Sequence, residues 1–155
     1  MQLPSCYLFE RLSEPQKDRI AAITLEKEIR KGEWLFQEGQ EAKRLFLLRK
    51  GTVELVTLVN DSIEIPITIV RSTGGCFGIG ALVEPYRYSL SARCTDDSTL
   101  LVINQADIKE LIRTDSDLGC TIMTNLAQKL LDRLKETRQE SKIHINTLIK
   151  SAAFS

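Results

Sequence analysis

The 155-residue chain has the length of one ordinary domain and can bury a core without disulfides or metal ions. Lysine and arginine together number 21, as do aspartate and glutamate, so no net charge draws the chain to nucleic acid or to a membrane. No apolar run approaches the ~18 residues of a membrane span, and charged residues interrupt the N-terminus, which argues against a signal peptide. We expect a cytoplasmic globular protein without direct contacts to nucleic acid or membrane.

The cysteines and the single histidine offer no metal or redox motif. No pair among the four cysteines has the spacing of a metal site or a redox dithiol, and His144 stands alone near the C-terminus. We expect neither an iron–sulfur cluster nor haem, and no enzymatic activity, because no nucleophile lies in a motif with a base. Reduced, mostly buried thiols are the expected state of Cys6, Cys76, Cys94 and Cys120.

The first element predicted along the chain is a helix over residues 8–26. Ser13 is a favourable N-cap, Gln16 lies three residues later in capping-box register, and Pro15 suits the first turn. Ile20 and Ile23 lie at helical spacing and give the segment one apolar face.

From about residue 27 to residue 103, short β-rich runs alternate with glycine-containing turns. Their β-branched residues and partial alternation favour strands over helices. Asn60, Asp61 and Ser62 form the predicted turn between two of these runs. The candidate strands are residues 34–36, 45–49, 52–59, 63–70, 89–94 and 99–103.

Two helices are predicted after the β region, at about 105–140. Asn104 would cap the first, Ala106 to Arg113, and Ser116 or Asp117 would cap a longer helix that ends near residue 140. The residues from 143 to 155 hold no clear pattern. We expect one domain over residues 1–155 and no helix-turn-helix domain, because too few residues follow the long helix.

The long helix also carries a candidate dimer seam. Its apolar positions are spaced so that they could face a second copy across a two-fold axis, and we expect a homodimer; the alternative is that they pack only on the chain's own β region. Around them, residues 129–136 mix positive and negative charge, which is typical of a solvated face and not of a phosphate-binding groove. The seam consists of Met123, Ala127, Leu130, Leu131 and Leu134.

The positions of the glycines carry a family resemblance. Gly32, Gly39, Gly51 and the Gly74–Gly78 stretch punctuate the β region, where tight turns require the positive φ that glycine adopts without a steric clash. With the preceding helix, this series resembles the cyclic-nucleotide-binding domain of the cyclic AMP receptor protein and of protein kinase A regulatory subunits, over residues 8–138. The resemblance implies a mainly β fold, a double-stranded β-helix or jelly roll flanked by an N-terminal helix and C-terminal helices.

The same resemblance implies a ligand site. In the family, the amides of a short helical turn bind a cyclic phosphate, and here that turn would lie at Gly78, Ile79, Gly80, Ala81 and Leu82, assisted by Arg87, Tyr88 and Ser89. Ile79 stands where the family has a glutamate for the ribose hydroxyl. Tyr86 fills the arginine slot, with Arg87 one place later. Losing both contacts would cost roughly 3–6 kcal/mol, or about 10²–10⁴-fold in affinity.

Three functions stay open from the sequence. The first is a sensor that binds cyclic AMP, cyclic GMP or another small anion and acts by repositioning its C-terminal helices. The second is a domain without a ligand that serves as a protein-interaction or dimerisation unit. The third is the sensor fragment of a transcription regulator. Gly80, Arg87 and Ser89 favour the first, whereas Ile79 and Tyr86 favour the second.

Overall fold

Eight strands build the centre of the protein, and the computed structural model describes residues 1–153. The strands form two antiparallel sheets of four, in the orders β1-β8-β3-β6 and β2-β7-β4-β5. Their bounds are β1 (Thr24–Ile29), β2 (Trp34–Phe36), β3 (Arg44–Lys50), β4 (Val53–Asn60), β5 (Ile63–Val70), β6 (Cys76–Phe77), β7 (Ser91–Cys94) and β8 (Ser98–Asn104).

Helices and short turns flank these sheets at both ends of the chain. They are the 3₁₀ turn η1 (Tyr7–Phe9), α1 (Glu14–Ala22), the 3₁₀ turn η2 (Ile79–Leu82), α2 (Gln105–Thr114) and α3 (Ser116–Ala153). The mainly β jelly roll with N- and C-terminal helices is thereby confirmed. Within residues 1–153, no helix combines the length and apolarity that crossing a bilayer requires.

The core lies around the two central strands of the first sheet. Residues 45–48 of β3 and 100–103 of β8 are buried without interruption, so both faces of these strands are covered. Burial of apolar surface on both faces is the main force that holds the sheet in place. Cys6, Cys76 and Cys94 lie in this core, whereas Cys120 is exposed, which agrees with the expectation of mostly buried thiols.

The first helix begins at the predicted cap, Ser13, and not at residue 8, and it also ends earlier than predicted. The Ser13 hydroxyl accepts a hydrogen bond from the Gln16 N–H at 3.3 Å, and the Gln16 side chain accepts one from the Ser13 N–H at 2.9 Å. The predicted end at residue 26 is wrong. The chain turns into β1 at Thr24, because residues 24–29 pair with β8, and the Thr24 hydroxyl donates to the Ile20 carbonyl at 2.7 Å.

All six predicted strands are present, with ends shifted by at most two residues. Two strands were not predicted. β1 is an edge strand with mostly exposed, charged residues, and β6 has only two residues, which pair with Phe46 and Leu47. The turn at Asp61 and Ser62 joins β4 to β5 as expected.

The C-terminal helices differ from the prediction at three points. Asn104 is the N-cap residue of α2, but its side chain makes no capping hydrogen bond. α3 is capped by Asp115, not by Ser116 or Asp117, because the Asp115 carboxylate accepts the Leu118 N–H at 3.1 Å. α3 also continues past residue 140 to Ala153, since the stretch after residue 140 contains neither glycine nor proline to end it. The last two residues of the predicted patternless tail lie outside the described residues.

Candidate functional site

The short turn η2 follows β6 directly and occupies the predicted ligand-binding stretch. Gly78 has a φ of 78°, a left-handed conformation that turns the chain from β6 into η2. The first hydrogen bond of the turn joins the Ala81 N–H to the Gly78 carbonyl at 3.1 Å. The N–H groups of Ile79 and Gly80 precede this bond, so they are free of the turn's own hydrogen bonding and can serve as donors.

Gly80 is required for a contact within the protein. A Cβ atom at this position would lie 2.2 Å from the Arg87 carbonyl oxygen. The close backbone approach at Gly80 is therefore made by the loop that carries Arg87. Ala81 and Leu82 are buried, and the Ala81 carbonyl accepts a hydrogen bond from the Gln105 side chain at 2.9 Å. This bond ties η2 to the first turn of α2.

A small cavity adjoins η2, with a volume of about 60 Å³. Its walls are mostly apolar, with Ser89 and Arg133 among the polar residues, and they include no aspartate or glutamate. Ligand pockets for drug-sized molecules have volumes of about 300 Å³ or more, so this cavity is several times smaller. The lining residues are Phe36, Leu55, Cys76, Phe77, Gly78, Ile79, Gly80, Tyr88, Ser89, Leu90 and Arg133.

Arg87 points away from this cavity. Its guanidinium donates to the Gly39 carbonyl at 3.2 Å, and its backbone forms an isolated bridge with Glu41. The side chain is exposed and is absent from the cavity wall. The structure thus brings Ser89, Ile79 and Gly80 together at the cavity but leaves Arg87 outside it.

Tyr88 lines the cavity and also joins β2 to β3 through its ring and its hydroxyl. Its ring stacks on Phe36 with centroids 3.7 Å apart. Its hydroxyl donates to the Arg44 carbonyl at 2.8 Å and accepts the Arg44 N–H at 3.1 Å. Burial raises the pKa of the Tyr88 phenol, which therefore stays protonated and keeps both hydrogen bonds.

Arg133 of α3 is a site residue that the sequence analysis missed. It lies seven residues after the buried Leu126, which returns it to the helix face that packs on η1 and α2. It makes no hydrogen bond or ion pair with any residue in the range 1–153. The sequence signal for this residue was its position at the end of the row of buried residues in α3. That signal could be used only once the buried face of the helix was known.

The five residues of the candidate dimer seam lie on the same helix, and four of them lie beyond its buried part. Met123 is half-buried, and Ala127, Leu130, Leu131 and Leu134 are exposed. The buried residues of α3 are instead Leu118, Gly119, Ile122, Asn125 and Leu126. Apart from Met123, which packs against the core, the seam is therefore not used for packing within the described chain.

Comparisons with known proteins agree with this architecture. Residues 26–115 match the family model of the cyclic nucleotide-binding domain. A Geobacter metallireducens protein assigned to the cyclic nucleotide-binding proteins is 35% identical, with a TM-score of 0.70 over 82% of this chain and 91% of that one. The Thermus thermophilus catabolite activator protein is 26% identical, with a TM-score of 0.74 over 88% of this chain and 62% of that one.

A sequence relative is longer than this chain. The anaerobic regulatory protein of Bacillus subtilis is 29% identical over 103 residues, which are 66% of this chain and 43% of that protein. The chain thus spans less than half the length of this curated relative.

Proposed function

Since the chain belongs to the cyclic nucleotide-binding domain family, a family of regulatory domains, we propose that it is a sensor for a small anionic ligand that binds at η2 and signals through the C-terminal helices. The observation that carries the proposal is the shared cavity, which Arg133 of α3 lines together with the first residues of η2. A ligand held there would contact the β region and α3 at once.

The chemistry of the cavity favours an anion. Arg133 brings a positive charge that no protein group within residues 1–153 neutralises, and the cavity wall includes no carboxylate. The N–H groups of Ile79 and Gly80 and the Ser89 hydroxyl are further donors along the same wall. Backbone amides at the start of a helical turn are suited to bind an anion, and an arginine fork adds charge-assisted hydrogen bonds.

The size of the cavity favours an anion of few atoms over a whole nucleotide. A volume near 60 Å³ is several times below the ~300 Å³ of the smallest pockets for drug-sized ligands, which favours a group the size of a small oxyanion. A nucleotide would have to displace the stacked rings of Phe36 and Tyr88. It would also lack the glutamate that Ile79 replaces, and Arg87 is directed to the Gly39 carbonyl.

The signal would pass to two helices. Arg133 belongs to α3, and the hydrogen bond from Gln105 to the Ala81 carbonyl joins η2 to α2. In one arrangement of α3, Arg133 lies over η2; in another, it does not. A ligand that binds more tightly to the first arrangement increases its population, to the extent that its affinities for the two arrangements differ. The output is then a change in the surface that α3 presents to a partner.

Calorimetric titration of the purified chain tests the proposal. The probes are cyclic AMP, cyclic GMP, nitrate, phosphate and acetate. We expect a small oxyanion to bind, and Arg133→Gln to weaken it by about 10- to 150-fold, the equivalent of one charge-assisted hydrogen bond of ~1.5–3 kcal/mol. Arg87→Gln is the matched control and should leave the affinity unchanged, because Arg87 lies outside the cavity.

Two results would contradict the sensor proposal. Absence of heat with every probe at millimolar concentration would favour the ligand-free interaction unit. Equal losses in the Arg87 and Arg133 variants would mean that only general surface charge is involved. Tight binding of cyclic AMP that depends on Arg87 would instead mean that the chain binds the usual ligand of its family. Both the cavity and the Arg87 side chain would then have to rearrange.

We further propose that α3 pairs with a second copy of the chain. Met123, Ala127, Leu130 and Leu134 follow one another in steps of four, three and four residues, the spacing of a coiled-coil seam. Leu130 and Leu134 are 42% and 52% exposed, which is costly for apolar side chains aligned along one face unless a partner covers them.

Sedimentation analysis should give a dimer, and Leu134→Glu should give a monomer with native circular dichroism. Gln139→Glu, an exposed control on the same helix, should stay dimeric; a monomeric wild type would contradict the pairing.

A further inference from the structure

A cleft lies on the first sheet, where β1 and β3 end and β8 begins. Its volume is about 610 Å³, within the range of about 300–1,000 Å³ that small-molecule sites occupy. It shares no lining residue with the small cavity beside η2. The protein thus offers room for a small molecule outside the site proposed above. The polar lining residues of the cleft are Glu28, Arg30, Lys50, Asp97, Ser98 and Thr99.

Close contacts and hydrogen bonds hold the chain segments around this cleft in place. Gly51 follows β3 and approaches β8 so closely that a Cβ atom on it would collide with the Ser98 side chain. The Ser98 hydroxyl donates to the Asp96 carbonyl at 2.8 Å. The Asp97 carboxylate accepts the Lys31 N–H at 2.8 Å, which joins the residues after β1 to those before β8. The cleft is therefore formed by the fold itself, before any ligand binds.

Three residues of the cleft lie directly opposite one another on three adjacent strands. Glu28 of β1 is opposite Thr99 of β8, and Thr99 is opposite Lys50 of β3. Directly opposed residues of antiparallel strands share one face of the sheet, so all three side chains project from the same face. The backbones of the outer two are separated by two strand spacings, or roughly 10 Å. This row places a carboxylate and an ammonium group on either side of a hydroxyl.

A β-bulge brings Lys50 into the row. The pairing of β3 with β8 shifts between Leu48 and Lys50, so that Arg49 is the extra residue. The Arg49 guanidinium pairs with Glu26 at 3.4 Å. Bulges are common next to functional sites, where they redirect a side chain. Here the bulge exchanges one cation for another, and it is Lys50 that lines the cleft.

The charged groups in the cleft are not paired with each other. Within residues 1–153, neither the Glu28 carboxylate nor the Lys50 ammonium makes a hydrogen bond or an ion pair. The Thr99 hydroxyl and the Arg30 guanidinium also have no partner in this part of the chain. Charges of complementary sign on a ligand and its site favour specific binding. Free charges of both signs in one cleft therefore favour a ligand that carries both signs itself.

We propose that this cleft binds a small zwitterion of the amino acid class. The ammonium group of the ligand contacts Glu28, its carboxylate contacts Lys50, and the Thr99 hydroxyl bonds to the ligand between them. Arg30 stands beside Glu28 and provides a second cation for a ligand with a further carboxylate. The site does not depend on the anion site at η2, with which it has no lining residue in common.

Titration of the isotope-labelled full chain, followed through its amide NMR resonances, tests the proposal. The probes are L-lysine, L-glutamine and L-glutamate, which differ in net charge but all carry an ammonium and a carboxylate group. Propionate and propylamine are the matched controls with a single charge, and the ionic strength is kept constant. We expect saturable shifts at residues 28, 50 and 99 with the amino acids and much weaker binding of both controls. Residues 78–80 report on η2 separately.

Variants separate the two ends of the proposed ligand. Glu28→Gln and Lys50→Gln should each weaken amino acid binding by about fivefold, the upper value for a solvent-exposed charge pair. Both positions are exposed, so the fold should tolerate these changes. Lys27→Gln is the control and should bind normally. Lys27 is exposed on the same strand as Glu28 but projects from the other face of the sheet.

The wild-type shifts decide the test, even where a variant does not fold. The proposal is overturned if no amino acid produces saturable shifts at residues 28, 50 and 99. It is equally overturned if propionate or propylamine binds as tightly as the amino acids, because one charge is then enough, or if Lys27→Gln weakens binding as much as Lys50→Gln. An oxyanion that shifts only residues 78–80 supports the site at η2 and leaves this result unchanged, so the two proposals stand or fail separately.

Discussion

The hydroxyl of Tyr88 satisfies both backbone polar groups of Arg44, at the edge of the small cavity. In Tyr88→Phe, the ring can remain stacked on Phe36 while the N–H and carbonyl of Arg44 lose their partner. These two hydrogen bonds are part-buried, and losing such bonds costs about 0.5–1.5 kcal/mol. We expect the free energy of unfolding, measured by urea denaturation, to fall by that amount.

Tyr7 provides the opposite case and hence the control. Its hydroxyl is buried and has no hydrogen-bond partner within residues 1–153. Removing this hydroxyl removes an unsatisfied group, so Tyr7→Phe should leave the unfolding free energy unchanged or raise it. If both variants lose the same stability, the hydrogen bonds to Arg44 are not the reason for the effect of Tyr88→Phe.

Some residue roles could be predicted from the sequence and others depend on the folded chain. Ile79 could be recognised from the sequence as a departure from the family pattern, because it directly follows Gly78, where the pattern has a glutamate. The direction of Arg87 could not, since it is decided by the Gly39 carbonyl from a loop 48 residues earlier. Arg133 belongs to the cavity only because α3, which packs on η1 and α2, carries this side chain to the cavity wall.

At the scale of elements, the junction between α2 and α3 depends on the charge of Asp115. Its carboxylate accepts the Leu118 N–H, contacts the Gln16 side chain at 3.3 Å and pairs with Arg19 at 3.1 Å. The hydrogen bond from Leu118, together with Gln16 and Arg19, holds the pKa of Asp115 below its usual range. A carboxyl whose pKa is lower in the folded state adds stability above its unfolded pKa and loses it as the pH falls through the folded pKa.

We therefore expect a pH-dependent effect of Asp115→Asn. The variant should be less stable than the wild type at about pH 7, and the difference should shrink as the pH falls below about 4. Urea denaturation over this pH range measures it. Asp117→Asn is the control, because Asp117 makes no hydrogen bond or ion pair within residues 1–153. A difference for Asp115→Asn that stays constant from neutral to acid pH would rule out the role of its charge.

Elements with strong local signals were predictable, and elements fixed by partners were not. The capping box at Ser13 determines where α1 begins, and the turn at Asp61 separates β4 from β5. By contrast, β1 reads as a continuation of α1, because its charged residues are common in helices and only pairing with β8 makes it a strand. The end of α3 has no amphipathic pattern because none of its residues after 140 is buried.

At the scale of the whole molecule, the N-terminal segment and α3 are joined by a buried polar contact. Asn125 is only 4% exposed, although it lies on the packing face of a helix. It donates to the carbonyls of Leu8 and Glu10 and accepts a hydrogen bond from the Arg11 guanidinium. These contacts span more than a hundred residues of sequence, so no local pattern around Asn125 reveals them. They give α3 a fixed position relative to η1.

Replacing Asn125 tests how far this contact positions α3. Asn125→Leu leaves the Leu8 and Glu10 carbonyls without this donor and removes one of the two acceptors of the Arg11 guanidinium, and we expect a loss of about 2–3 kcal/mol in unfolding free energy. Gln128→Leu removes only an exposed contact with Arg11 at 2.9 Å and should change stability by less than about 0.5 kcal/mol. If Asn125 positions α3, amide hydrogen exchange in η1 and around Arg133 rises together in the Asn125 variant. Faster exchange in η1 alone would mean that α3 is held in place by its contact with α2, and that η1 only follows it.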